Sequence, residues 1–145
     1  MNNIENSNFK KLLGIWKTSG IITSDQKKLE LTGIDSYELI LKGNYILHKA
    51  AVKMGTEKSE TFEIIALLNN SIDFAKMHYF NSKGEDGVMK SSIINNEFDI
   101  QGKGLKFSGE INDENTLITG KWLTQSEDGN WSEFIKLKLE KQTNK

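Results

Sequence analysis

The chain contains no cysteine, no proline and no arginine. Without cysteine there are no disulfides, no thiolate metal ligands and no cysteine nucleophile, which fits a reducing, cytoplasmic compartment. Without arginine there is no bidentate fork for a carboxylate, a phosphate or guanine, and an anion would meet only the point charge of a lysine. Acidic and basic residues nearly cancel, leaving a formal net charge of −1. Nucleic-acid binding normally needs a basic surplus, so that class is set aside. No stretch approaches the ~20 apolar residues of a membrane helix. The opening segment Met1-Asn2-Asn3-Ile4-Glu5-Asn6-Ser7-Asn8 has no basic start and no apolar centre, so it does not read as a secretory signal.

What is present is the composition of a globular protein, and 145 residues suffice for one domain, expected to span 1–145. Turn signals recur at intervals of roughly 8–15 residues, the rhythm of an all-β sandwich or barrel. One short helix opens the chain: Ser7 or Asn8 caps it, Phe9 to Leu13 form it, and Gly14 stops it. After Gly14 the apolar period becomes two. Strands are expected at Ile15 to Thr23, Lys28 to Leu41, Tyr45 to Met54, Ser59 to Leu68 and Asp73 to Asn81. Five more follow at Val88 to Ile94, Glu97 to Gln101, Leu105 to Ile111, Thr116 to Gln125 and Trp131 to Lys141. Gly33 marks a bend in the long second strand, and Gly43-Asn44 and Asn95-Asn96 read as tight hairpin turns. Such short links leave no room for parallel crossovers, and about ten sequential strands would curl and close, so an antiparallel up-and-down β-barrel is expected.

Alternation assigns the faces. The inward set is Leu29, Leu31, Gly33, Asp35, Tyr37, Leu39 and Leu41 on the second strand and Ile46, His48, Ala50, Val52 and Met54 on the third. It continues with Phe62, Ile64 and Ala66 on the fourth, Ala75, Met77, Tyr79 and Asn81 on the fifth, and Met89, Ser91 and Ile93 on the sixth. Leu105, Phe107 and Ile111 follow on the eighth strand, Ile118 and Trp122 on the ninth, and Ile135, Leu137 and Leu139 on the last, with Glu133 inward by extension. A slip of one residue would reverse any of these assignments. The inward faces thus carry polar intruders, and a few convergent polar groups in an apolar wall are what a ligand pocket requires. The alternative is that they pair with one another or lie at the wet ends of the barrel.

Gly14-Ile15-Trp16, directly after a short helix and opening the first strand, resembles the Gly-x-Trp signature of calycin barrels, the lipocalins and fatty-acid-binding proteins. The runs Gly43-Asn44-Tyr45-Ile46-Leu47, Tyr79-Phe80-Asn81-Ser82-Lys83-Gly84 and Gly87-Val88-Met89-Lys90-Ser91-Ser92 are similar to an uncharacterised bacterial lipocalin-like family of unknown function. The resemblance covers about Phe9 to Lys141. It implies a closed barrel with Trp16 at its floor and a small-molecule site inside, but it lends no settled activity. Several family devices are missing. Ser24 to Lys27 leave no room for a helical lid, and the arginine of the fatty-acid clamp has no counterpart. The late axial histidine of nitrobindin-like haem barrels has none either, since the histidines are His48 and His78 and a haem site would have to be rebuilt around His48.

Catalytic motifs are few. No Gly-x-Ser-x-Gly elbow or His-x-x-x-His pair is present, and Gly102-Lys103-Gly104 lacks the rest of a phosphate loop. The best acid–base set is His48 with Asp35 and Glu133. Pairing Lys42 with Tyr45 about Gly43-Asn44 places His48 opposite Leu39, so contact with Asp35 needs a bulge or another register. No metal and no cofactor is expected, since zinc wants three or four converging ligands.

The leading expectation is binding of a small apolar or amphipathic molecule inside the barrel, as carrier, buffer or sensor. Trp16, Tyr37, Ile46, Phe62, Met77 and Tyr79 would wall the site, with Met89, Phe107 and Trp122. His48, Asn81 and Ser91 would serve as polar anchors. The alternatives are a cofactor-free isomerase, lyase or hydrolase using His48 and a carboxylate, and a filled barrel whose outer face binds a protein. A cavity of at least ~300 Å³ would favour the first two over the third.

Overall fold

A computed structural model describes residues 3–24 and 27–143. Two short 3-10 turns, Ile4–Asn6 and Asn8–Leu12, precede ten strands. These are β1 (Gly14–Ser24), β2 (Lys27–Ile40), β3 (Tyr45–Met54), β4 (Glu57–Leu67) and β5 (Phe74–Asn81). Then come β6 (Asp86–Ile94), β7 (Glu97–Gly102), β8 (Leu105–Ile111), β9 (Leu117–Gln125) and β10 (Trp131–Lys141). Each strand pairs antiparallel with its sequence neighbours, and β10 returns to β1, closing the barrel. Closure leaves no unpaired edge in the sheet.

The opening turns plug one end. The Ser7 hydroxyl caps the second by accepting from the Phe9 amide. They are 3-10 rather than α-helical, as befits segments of 3 and 5 residues. The Ile4 amide donates to Gly43 O and the Asn8 amide to Ile72 O, while the Asn8 side chain donates to Asp73 and to Ile93 O. The plug is therefore tied to the loops at that end of the barrel. Gly14 leaves it at φ +128°, where glycine has no Cβ to clash. Ile4, Phe9, Leu12 and Trp16 are fully buried and pack with Ile46, Ile65, Met77, Ile93 and Ile111. This half of the barrel is solid.

Turn chemistry sets the registers. Asn95 and Asn96 both take positive φ, and Ile94 pairs with Glu97, a two-residue hairpin as expected. The link after β2 is longer than expected: Leu41, Lys42 and Gly43 all have positive φ, and pairing closes at Ile40–Tyr45. His48 therefore lies opposite Tyr37, two residues from the expected Leu39. Gly33 makes no bulge, since pairing runs unbroken on both sides. A Cβ there would stand 2.2 Å from Ala51 O, so this glycine admits the neighbouring backbone. The turn expected at Ser24 to Lys27 falls partly outside the described residues.

Three expected inward positions differ in the structure. Leu41 lies past the end of β2, at φ +50° in the link, and is exposed. On β4 it is Glu63 and Ile65 that point inward, while Phe62 is 51% exposed on the outer wall. Ile65 pairs with Ile46 and Met77 and is fully buried, and Lys49 reaches over the displaced Phe62 ring at 5.7 Å. Phe62 thus does not wall the lumen. On β10 the register shifts between Glu133 and Ile135, a bulge that turns Glu133 outward to Lys121 at 2.7 Å. Glu133 is no partner for His48.

Candidate functional site

Above the solid half the barrel is hollow. A cavity of about 450 Å³ extends from the level of Asp35, His48 and Glu63 to Asn81 and Glu85 at the end opposite the plug. Its side walls are mostly apolar, built by Leu31, Val52, Met89, Phe107, Trp122 and Leu137 among others. Gly109 and Gly120 face each other across β8 and β9, and a Cβ on either would come within 2.5 Å of the Phe107 ring. This pair of bare positions lets the ring lie down on the wall instead of projecting into the lumen.

The polar floor is assembled by three neighbouring strands. Asp35 comes from β2, His48 from β3 and Glu63 from β4. His48 is directly opposite Tyr37 on one side and Glu63 on the other, and Asp35 is the diagonal neighbour. His48 Nε2 contacts Asp35 Oδ2 at 2.6 Å and Nδ1 contacts Glu63 Oε1 at 2.9 Å. The Thr18 hydroxyl donates to the second Asp35 oxygen from β1. Tyr37 stacks flat on the imidazole with ring centroids 4.0 Å apart. Asp35, Tyr37 and Glu63 are each buried.

Burial alone would lower the imidazole's proton affinity. The hydrogen bonds to Asp35 and Glu63, and then their charges, outweigh it and raise the His48 pKa from 6.5 to about 9. The ring is therefore an imidazolium near neutrality, donating from both nitrogens. Burial, then the Asp35 and Glu63 charges, push the Tyr37 hydroxyl well above its ordinary range, so it stays neutral. Several polar groups of the lining have no side-chain hydrogen bond to another described residue, among them Glu63 Oε2, the Tyr37, Thr61 and Tyr79 hydroxyls and the Trp122 indole N–H.

Of the residues expected in the site, Tyr37, His48, Tyr79, Asn81, Met89, Phe107 and Trp122 line the cavity. Trp16 does not: it is fully buried in the solid half and donates from Nε1 to Leu12 O. Ile46 and Met77 are packed in the same half. The Ser91 hydroxyl is spent on Asp99 O. Asn81 divides its side chain between Glu85 and the turn amides of Lys83 and Glu85. His78 lies outside, tilted against Phe80 and 3.4 Å from Asp86. The residues missed by sequence reasoning are Glu63 and Thr18. With Gly55-Thr56 as a two-residue turn, Met54 pairs with Glu57, and that register alone carries Glu63 opposite His48.

With both imidazole nitrogens engaged, His48 offers no lone pair to an iron or to a substrate proton. Asp35, His48 and Glu63 bind one another rather than converge on a point, and no group of three such residues among those described is placed to hold a metal ion.

No protein-family model matches the chain, and no curated protein does. Among solved structures it is similar to the crystal structure of Rv2717c from M. tuberculosis, with a TM-score of 0.72 at 10% identity over 92% of this chain and 94% of that one. At that identity the likeness concerns the fold: a closed β-barrel of the same overall course.

Proposed function

We propose that this barrel binds a small amphipathic molecule in its hollow half and acts as a cytosolic carrier, buffer or sensor of the calycin type. The observation that carries the reading is the lumen itself. A chain that needed only a stable barrel could fill about 450 Å³ with side chains, as it does at the plugged end. The space instead falls within the usual range of small-molecule pockets and combines apolar walls with a polar floor. Tyr37, His48, Tyr79, Met89, Phe107 and Trp122 are the proposed contacts, joined by Glu63. Ile46, Met77 and Trp16 support them from below.

The enzyme alternative draws less support. A histidine held as imidazolium between two carboxylates is a poor base at neutral pH, and burial discourages ionisation of Tyr37. The protein-binding alternative assumed a filled barrel.

Native mass spectrometry of protein taken gently from its own cells tests the proposal. A reproducible added mass is expected, lost on unfolding and absent from Ala50→Trp, which places a large side chain in the lumen. No added mass, together with no thermal shift of the wild type by any small amphiphile, would remove the carrier reading.

A further inference from the structure

We propose that the ligand carries a positive charge, received by Glu63 Oε2: the cavity takes an apolar amine in its protonated form. This rests on the binding reading above and adds the chemistry of the ligand's polar end.

Three observations carry it. First, the floor holds two carboxylates against one imidazolium. The Asp35 oxygens are both occupied, by Thr18 and His48, but Glu63 uses only Oε1. Its side chain is 7% exposed, it lines the cavity, and no donor among the described residues meets Oε2. Oε2 is thus open to the lumen rather than sealed off, the one sealed and unpaired side-chain atom among the described residues being Asn115 Oδ1, and a carboxylate oxygen facing so apolar a space gains from any donor that comes to it. Second, no other cation among the described residues of the lining balances the charge. The cavity lining contains Asp35, Glu63 and Glu85 but no lysine. Lys141 lies over Trp16 at 4.9 Å, and Trp16 belongs to the solid half. Third, the walls include the aromatic rings of Tyr79, Phe107 and Trp122, a residue type that tolerates a cation and an alkyl chain alike. A fatty acid would instead place its carboxylate against Glu63.

The test compares octylamine, octanol and octanoate, which share one tail, by isothermal titration calorimetry at pH 7 on wild type and Glu63→Gln. Octylamine is expected to bind about tenfold or more tightly than octanol, with octanoate weakest. Glu63→Gln, of equal size but neutral, brings amine and alcohol to within about threefold of each other, by loss of amine affinity. Octanoate binding as well as octylamine, or an amine preference that survives in Glu63→Gln, would overturn the charge assignment and leave the cavity reading standing. Failure of all three to bind the wild type would overturn the charge assignment, and with no added mass and no thermal shift by any other amphiphile it would overturn the cavity reading too. If Glu63→Gln does not fold, the wild-type ranking decides alone, an amine preference upholding the proposal and its absence sinking it.

Discussion

The imidazolium at the cavity floor makes stability depend on pH in a defined direction. Folding raises the His48 pKa from 6.5 to about 9. A group whose value is raised on folding stabilises the native state fully below its unfolded value and loses that contribution as pH climbs through the folded one. The window therefore opens near 6.5 and closes a little above 9, and stability falls across it. At 1.36 kcal/mol per tenfold change in proton affinity, the fall is about 3 kcal/mol. Urea unfolding at a series of pH values from 6 to 10 measures it. The imidazole proton resonances, followed in a His78→Asn background so that one ring remains, locate the midpoint directly. Glu63→Gln removes one of the two carboxylates and moves that midpoint down. A wild-type midpoint at or below 6.5 would refute the reasoning, since His48 would then be neutral between its carboxylates. Stability flat across the window would refute it equally.

Two further expectations probe the walls. Ile65→Ala costs about 2–5 kcal/mol in chemical denaturation, as a truncation in the solid half, whereas Phe62→Ala on the outer wall stays within about 1 kcal/mol. The opposite order would restore the reversed face of β4. Gly120→Ala sets a methyl 2.4 Å from the Phe107 ring and 2.7 Å from Ser108 O, so the ring must lift into the lumen. A loss of about 1–3 kcal/mol is expected, with weaker binding of any lumen ligand, and a variant that binds normally would show that Phe107 has room elsewhere.

The barrel was legible because its strands alternate cleanly wherever the inward face is purely apolar. Leu105, Phe107 and Ile111 on β8, and Ile135, Leu137 and Leu139 on β10, leave no choice of face. Turn residues then fixed the order, and the Asn95-Asn96 hairpin followed from the tolerance of asparagine for positive φ. The β2–β3 link is longer than the sequence suggests because Leu41 and Lys42 carry no signal for positive φ, yet both adopt it. The longer link moves the partner of His48 two residues along β2, from Leu39 to Tyr37, and so creates the Tyr37 stack. The β10 bulge was invisible for a similar reason: nothing in Glu133-Phe134-Ile135 announces an inserted residue.

The error on β4 has a different character. Its two faces read Thr61, Glu63, Ile65 and Phe62, Ile64, Ala66, and hydrophobicity alone prefers the second. The fold takes the first because Glu63 has a partner that hydrophobicity cannot see. His48, brought opposite by the β3–β4 turn, supplies a charged hydrogen bond inside the lumen. Phe62 is the residue displaced, left outside against Phe80 and under Lys49. A carboxylate placed where the pattern wants a hydrocarbon is a local contradiction, and such contradictions gather where structure is bent to a purpose. At this one the cavity floor lies, and the unshared oxygen of Glu63 is what it presents to whatever enters.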